Sequence, residues 1–160
     1  MRLVLDPDQL PPGARWERRG DVGRLILPDA PEVSIEVSDI APLPDDPSAA
    51  ARRTVAIVSA GSVVRLGAAT EAVTVEGWPF SIVDSEARAA DTGALVDSRI
   101  HLFYRFLVHG ARVTITSPVA LAPRRAFLVG LFERARPDFG GEIVALAQIV
   151  NIPLRPKRDA

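Results

Sequence analysis

The stretch Asp97-Ser98-Arg99-Ile100-His101-Leu102-Phe103-Tyr104-Arg105-Phe106-Leu107-Val108 decides how the chain is read. Side chains alternate sides along a strand, so Ile100, Leu102, Tyr104, Phe106 and Val108 share one face, and Arg99, His101, Phe103, Arg105 and Leu107 share the other. The first set is wholly apolar and predicts a core face. The second mixes charge with large apolar groups and predicts a half-wet face of an antiparallel sheet. His109-Gly110 then predicts a tight turn into a further strand over Arg112 to Thr116.

Working outward from that strand, the same period of two recurs. Val73 and Val75 alternate with Thr74 and Glu76, Gly77 marks a break, and Phe80 to Ala87 predicts the next strand, so residues Val73 to Thr116 read as an antiparallel meander. Upstream, Val22 to Leu27 and Val33 to Val37 predict two short strands joined by Pro28-Asp29-Ala30-Pro31. In the second of these, Val33, Ile35 and Val37 belong on one side, with Ser34 and Glu36 on the other. Asp46-Pro47 predicts an N-cap followed by proline at the first helical position, opening a helix over Ser48 to Ala60. A rival reading takes Thr54 to Ser59 as a strand, because β-branched residues crowd there. After Pro123 the spacing of Phe127, Leu128, Leu131, Phe132 and Ala135 predicts a second helix, stopped by Pro137. Ile143 to Ile152 is almost wholly apolar and favours a short buried helix without excluding a strand. The expected architecture is therefore α+β, an antiparallel sheet of about six strands flanked by about two or three helices. It comprises an irregular N-terminal arm over 1–20 anchored by Trp16, one domain over 21–152 and a loose tail over 153–160.

Composition narrows the function classes. With 160 residues, 48% of them hydrophobic, the chain can bury about two thirds of its unfolded surface in a single core. The absence of cysteine removes disulfides, thiolate metal sites and cysteine nucleophiles. Lys157 is the only lysine, so Schiff-base and phosphate-loop lysine chemistry has no residue in the folded part. A formal net charge of −1 argues against a nucleic-acid surface. Met1 to Asp8 has no long apolar core and no apolar run reaches the roughly 18 residues of a membrane span, so neither export nor insertion is expected and cytoplasm is the default.

Chemistry-bearing residues are sparse. His101 and His109 lie roughly 26 Å apart along a regular strand and cannot share a metal ion. A carboxylate on the neighbouring strand, Asp84 or Glu86, could orient His101 as a base, against the plainer reading that these groups form a solvated face with Arg99 and Arg105. Ser59-Ala60-Gly61-Ser62 lacks the spacing of a nucleophile elbow, and Gly61 and Gly67 match no phosphate loop. Asp45 and Asp46 are better explained by capping, and Arg155-Pro156-Lys157-Arg158 by a solvated end. No cofactor and no metal are expected.

The order of elements, together with Gly77-Trp78-Pro79-Phe80, the strand from Ile100 to Gly110 and Val113-Thr114-Ile115-Thr116 ahead of a helix, resembles the PsbP-like fold of DcrB-like proteins over roughly Leu25 to Asp138. One branch of that fold, the Eag-type adaptors of type VI secretion, is similar in holding apolar effector segments against a sheet. The resemblance implies a contact role for Phe103, Arg105 and Leu107. If both helices share one side of the sheet, the side carrying Phe103 and Leu107 is left open. The reading that follows is a non-enzymatic protein-binding module, an adaptor, chaperone or immunity-type factor. It takes an apolar segment of another protein through Phe103, Arg105, Leu107, His101 and Arg99. A small enzyme using His101 with a carboxylate, and a homodimer that buries Ile143 to Ile152 against a copy, are the competing readings.

Overall fold

Apolar alternation along three consecutive long strands sets the centre of the molecule, and the computed structural model describes it over residues 2–41, 46–56, 61–106 and 109–139. In chain order the strands are β1 (Arg2–Val4), β2 (Arg15–Arg19), β3 (Val22–Ile26), β4 (Ser34–Ala41), β5 (Ser62–Leu66), β6 (Thr70–Val73), β7 (Pro79–Ala89), β8 (Leu95–Phe106), β9 (His109–Ser117) and β10 (Arg136–Asp138). The helices are α1 (Pro47–Ala56) and α2 (Arg125–Glu133), with short 3₁₀ turns at Pro7–Gln9 and Ala122–Arg124. The main sheet is antiparallel in the order β2-β3-β4-β9-β8-β7-β5, and β6 pairs with the other end of β7. β1 and β10 form a separate two-stranded sheet.

This corrects the expected fold class. Ten strands in two antiparallel sheets, with two α-helices among the described residues, replace a sheet of about six strands flanked by two or three helices. The additional strands come from segments whose patterning is weak. Arg15–Arg19 carries charge at four of its five positions and survives as a strand because it is an edge, where charge is an asset. Within the stretch expected as an irregular arm, it pairs Trp16 with Leu25 in β3. Ser62–Leu66 was hidden between a helix and a glycine and is held by pairing with Ser85 to Ala89 of β7. Residues Ile143 to Ile152, the tail and Leu107 lie outside the described residues.

The main core lies on one face of the sheet, the first face below. Phe80, Ile82, Ile100, Leu102, Tyr104, Phe106, Val113, Ile115, Ile35 and Val37 are buried there beneath Leu128, Val129 and Phe132 of α2 and Leu3 of β1. Aromatic rings form a continuous row within it. Phe80 stacks on Tyr104 with centroids 4.9 Å apart, Tyr104 on Phe106 at 5.5 Å, and Trp78 meets Phe106 edge-on at 5.2 Å. The Tyr104 hydroxyl donates a 2.7 Å hydrogen bond to the carbonyl of Phe132, at the C-terminal end of α2, which fixes that helix over the row. Burial pushes the Tyr104 phenol well above its ordinary 10, with Glu133 adding to the effect.

α1 begins as its cap predicts. The Asp46 carboxylate accepts from the amides of Ser48 and Ala49, and Pro47 occupies the first helical position. Thr54 to Ala56 are helical, against the strand alternative. At the opposite edge, Gly23 has one reason to be glycine: a Cβ there would sit 2.4 Å from the Trp16 ring. Trp16 lies across that gap with the Arg18 guanidinium 5.6 Å from its centroid.

Tyr104→Phe removes one donor from the Phe132 carbonyl, which keeps the Ala135 amide at 3.2 Å, while conserving the ring. The expected loss is about 1–2 kcal/mol in urea unfolding, with amide exchange rising first in the last turn of α2. An unchanged midpoint would show that the hydroxyl does not hold the helix.

Candidate functional site

The second face of the sheet carries the residues singled out for function. Strand parity places Arg99, His101, Phe103 and Arg105 there, as expected, opposite Ser85, Val83 and Ser81 of β7 and Thr116, Thr114 and Arg112 of β9. Their exposure differs from expectation. Phe103, Arg99 and His101 are buried, at 5%, 8% and 0% exposure, and Arg105 is exposed. The cause is the placement of the helices: α1 and α2 cover opposite faces. Ala51, with Ala50, packs on Val83, Phe103 and Leu66, and forms a small second core under α1. The expectation of an unroofed side around Phe103 assumed that both helices share one face. Among the described residues, Ser34, Glu36 and Arg24 are exposed on the part of this face over β4 and β3, and Arg105 on β8.

His101 is the most unusual group on this face. Its Nε2 lies 3.0 Å from the Ser85 hydroxyl, and the ring stacks on Phe103 with centroids 6.4 Å apart. Among the described residues, no group completes a hydrogen bond to Nδ1. Burial first, then the guanidinium groups of Arg99 and Arg112, lower the imidazole from its ordinary 6.5 to about 4, against the weaker opposing pull of Asp84 and Asp97. The ring is therefore neutral at pH 7. Beside it Arg99 makes a two-pronged contact with Asp97, Nε to Oδ1 at 3.3 Å and one terminal nitrogen to Oδ2 at 3.2 Å. This buried pair is internally matched, which is the condition for placing two charges out of water.

The carboxylates expected to orient His101 are elsewhere. Asp84 pairs with Ile100 and Glu86 with Ser98, so both project from the first face. There Asp84 receives Arg125 of α2 at 3.0 Å and Glu86 receives Arg88 at 3.2 Å. This one-residue difference in parity sets Asp84 and Glu86 on the face opposite His101, so neither is placed to orient its ring. Ser85, the residue between them, is the true neighbour. Sequence reasoning passed over it and over Asp97. The signal that could have found Ser85 is the strand register, since Val83 opposes His101 and Ser85 lies two positions further along the same face. A Ser–His contact is one component of nucleophilic catalysis, but here Ser85 is 3% exposed and His101 fully covered, so a substrate has no approach to either. The pair acts as a polar clasp between β7 and β8.

The remaining candidates separate. The side chain of His109 and residues 45, 59–60, 107 and 155–158 lie outside the described set, and Asp46 caps α1. Among the described residues no group of three or more His, Asp or Glu side chains could hold a metal ion, and no helix is long and apolar enough to cross a membrane. No protein-family model matches the chain, and no curated protein does either.

The depressed imidazole links stability to pH. The unfolded chain takes up a proton near 6.5 and the folded chain only near 4, so the His101 contribution is complete above 6.5 and is lost as pH falls from there to 4. The expected loss is a few kcal/mol, about 3 at most. Replacing both partners, His101→Phe with Ser85→Ala, is expected to change stability little at pH 7 and to flatten the acid limb between pH 6.5 and 4. A limb of unchanged slope in urea titrations would assign it to other groups. Phe103→Asp, which puts a carboxylate under α1, is expected to destabilise the chain by about 2–4 kcal/mol.

Proposed function

We propose that the chain is a non-enzymatic protein-binding module, an adaptor or chaperone acting in the cytoplasm, which accepts an apolar segment of a partner on the second face of its main sheet. The observation that carries this reading is the chemistry of the cover. Among the described side chains, α1 sets alanines, Ala50 and Ala51, over Phe103, Val83 and Leu66. At roughly 0.8 kcal/mol per buried methylene, two alanine methyls contribute about 2 kcal/mol, whereas one partner leucine or phenylalanine contributes about 1.5–3 kcal/mol. A segment bringing two such residues outcompetes this part of the helix for the same apolar ground. Arg105, exposed beside the covered area, and the exposed polar strip over β4 and β3 supply a rim for the partner's backbone and polar groups. The resemblance to Eag-type adaptors supports the same kind of occupant. In this reading Phe103 is the anchor, Arg105 the rim contact, and His101 with Arg99 a rigid polar floor.

The test uses the chain's freedom from cysteine. A variant with Ala50→Cys and Leu66→Cys, oxidised, clamps α1 to β5. Peptides selected on the wild-type protein from a random library are expected to be apolar, to bind the reduced variant as they bind the wild type, and to lose at least about tenfold in affinity for the oxidised form. Peptides that bind both redox forms equally, or a selection that enriches nothing, would refute exchange at α1.

A further inference from the structure

The segment from Leu5 to Leu10 borders two depressions of the surface. The one toward α2 holds Phe127, whose spacing predicts a place in the core stripe and which is instead 53% exposed. The other, a cleft of about 590 Å³ toward β2, joins an apolar wall to two guanidinium groups. Strand parity turns Trp16 and Arg18 of β2 to the first face of the sheet, because Trp16 pairs with buried Leu25. There Leu3 and Leu5 enter the core, and Leu10, Ala14 and Trp16 pack against it from the cleft side. The six-membered ring of the indole occupies the space that a side chain at Gly23 would fill. Glycine inside a strand weakens it, and here its return is a tryptophan ring seated on the backbone at the edge of the sheet.

The charges of the cleft are unevenly matched. Arg2 and Arg18 both line it, and Asp138, paired in register with Arg2 across β1 and β10, lines it too. Among the described lining residues, two guanidinium groups therefore face one carboxylate. Burial first, and then the nearby Arg2, hold the Arg18 guanidinium below its usual range, with Asp21 opposing them. Arg18 already lies 5.6 Å from the centroid of the Trp16 ring, and the five donors of a guanidinium leave capacity for a further acceptor.

We infer that this cleft is a binding site for a small aromatic monocarboxylate, with its ring against Trp16 and the apolar wall and its carboxylate between Arg2 and Arg18. One surplus positive charge matches a single carboxylate and falls short of a polyphosphate. A guanidinium fork takes a carboxylate through two parallel hydrogen bonds, and an anion placed between two such forks offsets their mutual repulsion. The indole favours a flat ring over a flexible chain, since aromatic pairs gain beyond the area they bury. A cleft of this size, apolar with a few polar groups at one end, has the build of a small-molecule site. It stands on β2 and the N-terminal run, so it is independent of any exchange at α1.

Calorimetric titration of the full chain with phenylacetate, alongside amide and indole N–H spectra and thermal unfolding of every variant, tests this. One-to-one saturable binding with a dissociation constant of roughly submillimolar order is expected, with the Trp16 indole signal moving more than that of Trp78. Phenylacetamide, which keeps the ring without the charge, and hexanoate, which keeps the charge without the ring, are each expected to bind at least about tenfold more weakly. Arg2→Gln and Arg18→Gln are each expected to weaken phenylacetate about tenfold. The Arg2 variant keeps its thermal midpoint, because Arg2 is an exposed side chain. Trp16→Leu is expected to bring phenylacetate down to the affinity of hexanoate. Absence of saturable binding up to roughly 10 mM overturns the proposal, and so does equal binding of the amide or indifference to both arginine substitutions. Equal affinity of the wild type for hexanoate overturns the aromatic class of the ligand.

Discussion

Strand β8 is buried on both faces along most of its length, and the rest of the fold follows from the need to cover it twice. From Asp97 to Tyr104 its side chains are buried whichever way they point. An antiparallel sheet with one wet side needs helices on one face alone. Here the aromatic row of Tyr104 and Phe106 requires α2, while Phe103 and His101 require α1, and the two helices are driven to opposite sides. The bond from Tyr104 to the end of α2 and the capping of α1 by Asp46 fix where each helix lies. The remaining strands extend the sheet away from this doubly covered centre.

The polar groups of the second face have a part in this arrangement that an apolar filling would not supply. Ser85 of β7 meets His101 of β8, and beside them Asp97 and Arg99 pair with each other along β8. A slip of β8 by one residue would drive Arg99 and His101 into the aromatic row and expose the row itself to the face now lined by serine and arginine. The clasp therefore opposes register error more strongly than it adds stability, since net gains from buried polar pairs are modest.

How much of this was legible in the sequence depended on which contacts are local. Alternation along Asp97 to Phe106 and along Val33 to Val37 assigned residues to faces correctly, because strand parity is a property of consecutive residues. The start of α1 was legible for the same reason, from Asp46 and Pro47. The side of the sheet on which each helix packs is not written in either helix; it depends on connections of the chain around the sheet, and the expected opening around Phe103 failed there. Parity between two strands was also misjudged, since Asp84 and Glu86 were set beside His101 without a register to decide between them and Ser85. The strand at Arg15–Arg19 was missed because its stability comes from a neighbour, while its own residues are nearly all charged. Phe127 was misplaced because a stripe as broad as Phe127 to Ala135 exceeds what one nine-residue helix can bury.

The two borders of the main sheet bear on solubility. One is the arginine-rich β2, and the other is divided between β5 and β6, which occupy separate lengths of β7. Among the described residues, neither border offers a long, uncharged, uninterrupted row of backbone donors and acceptors. Fibre growth by strand addition needs such a row as a template. A protein with this much extended backbone is in this way shielded from propagating its own sheet into a filament.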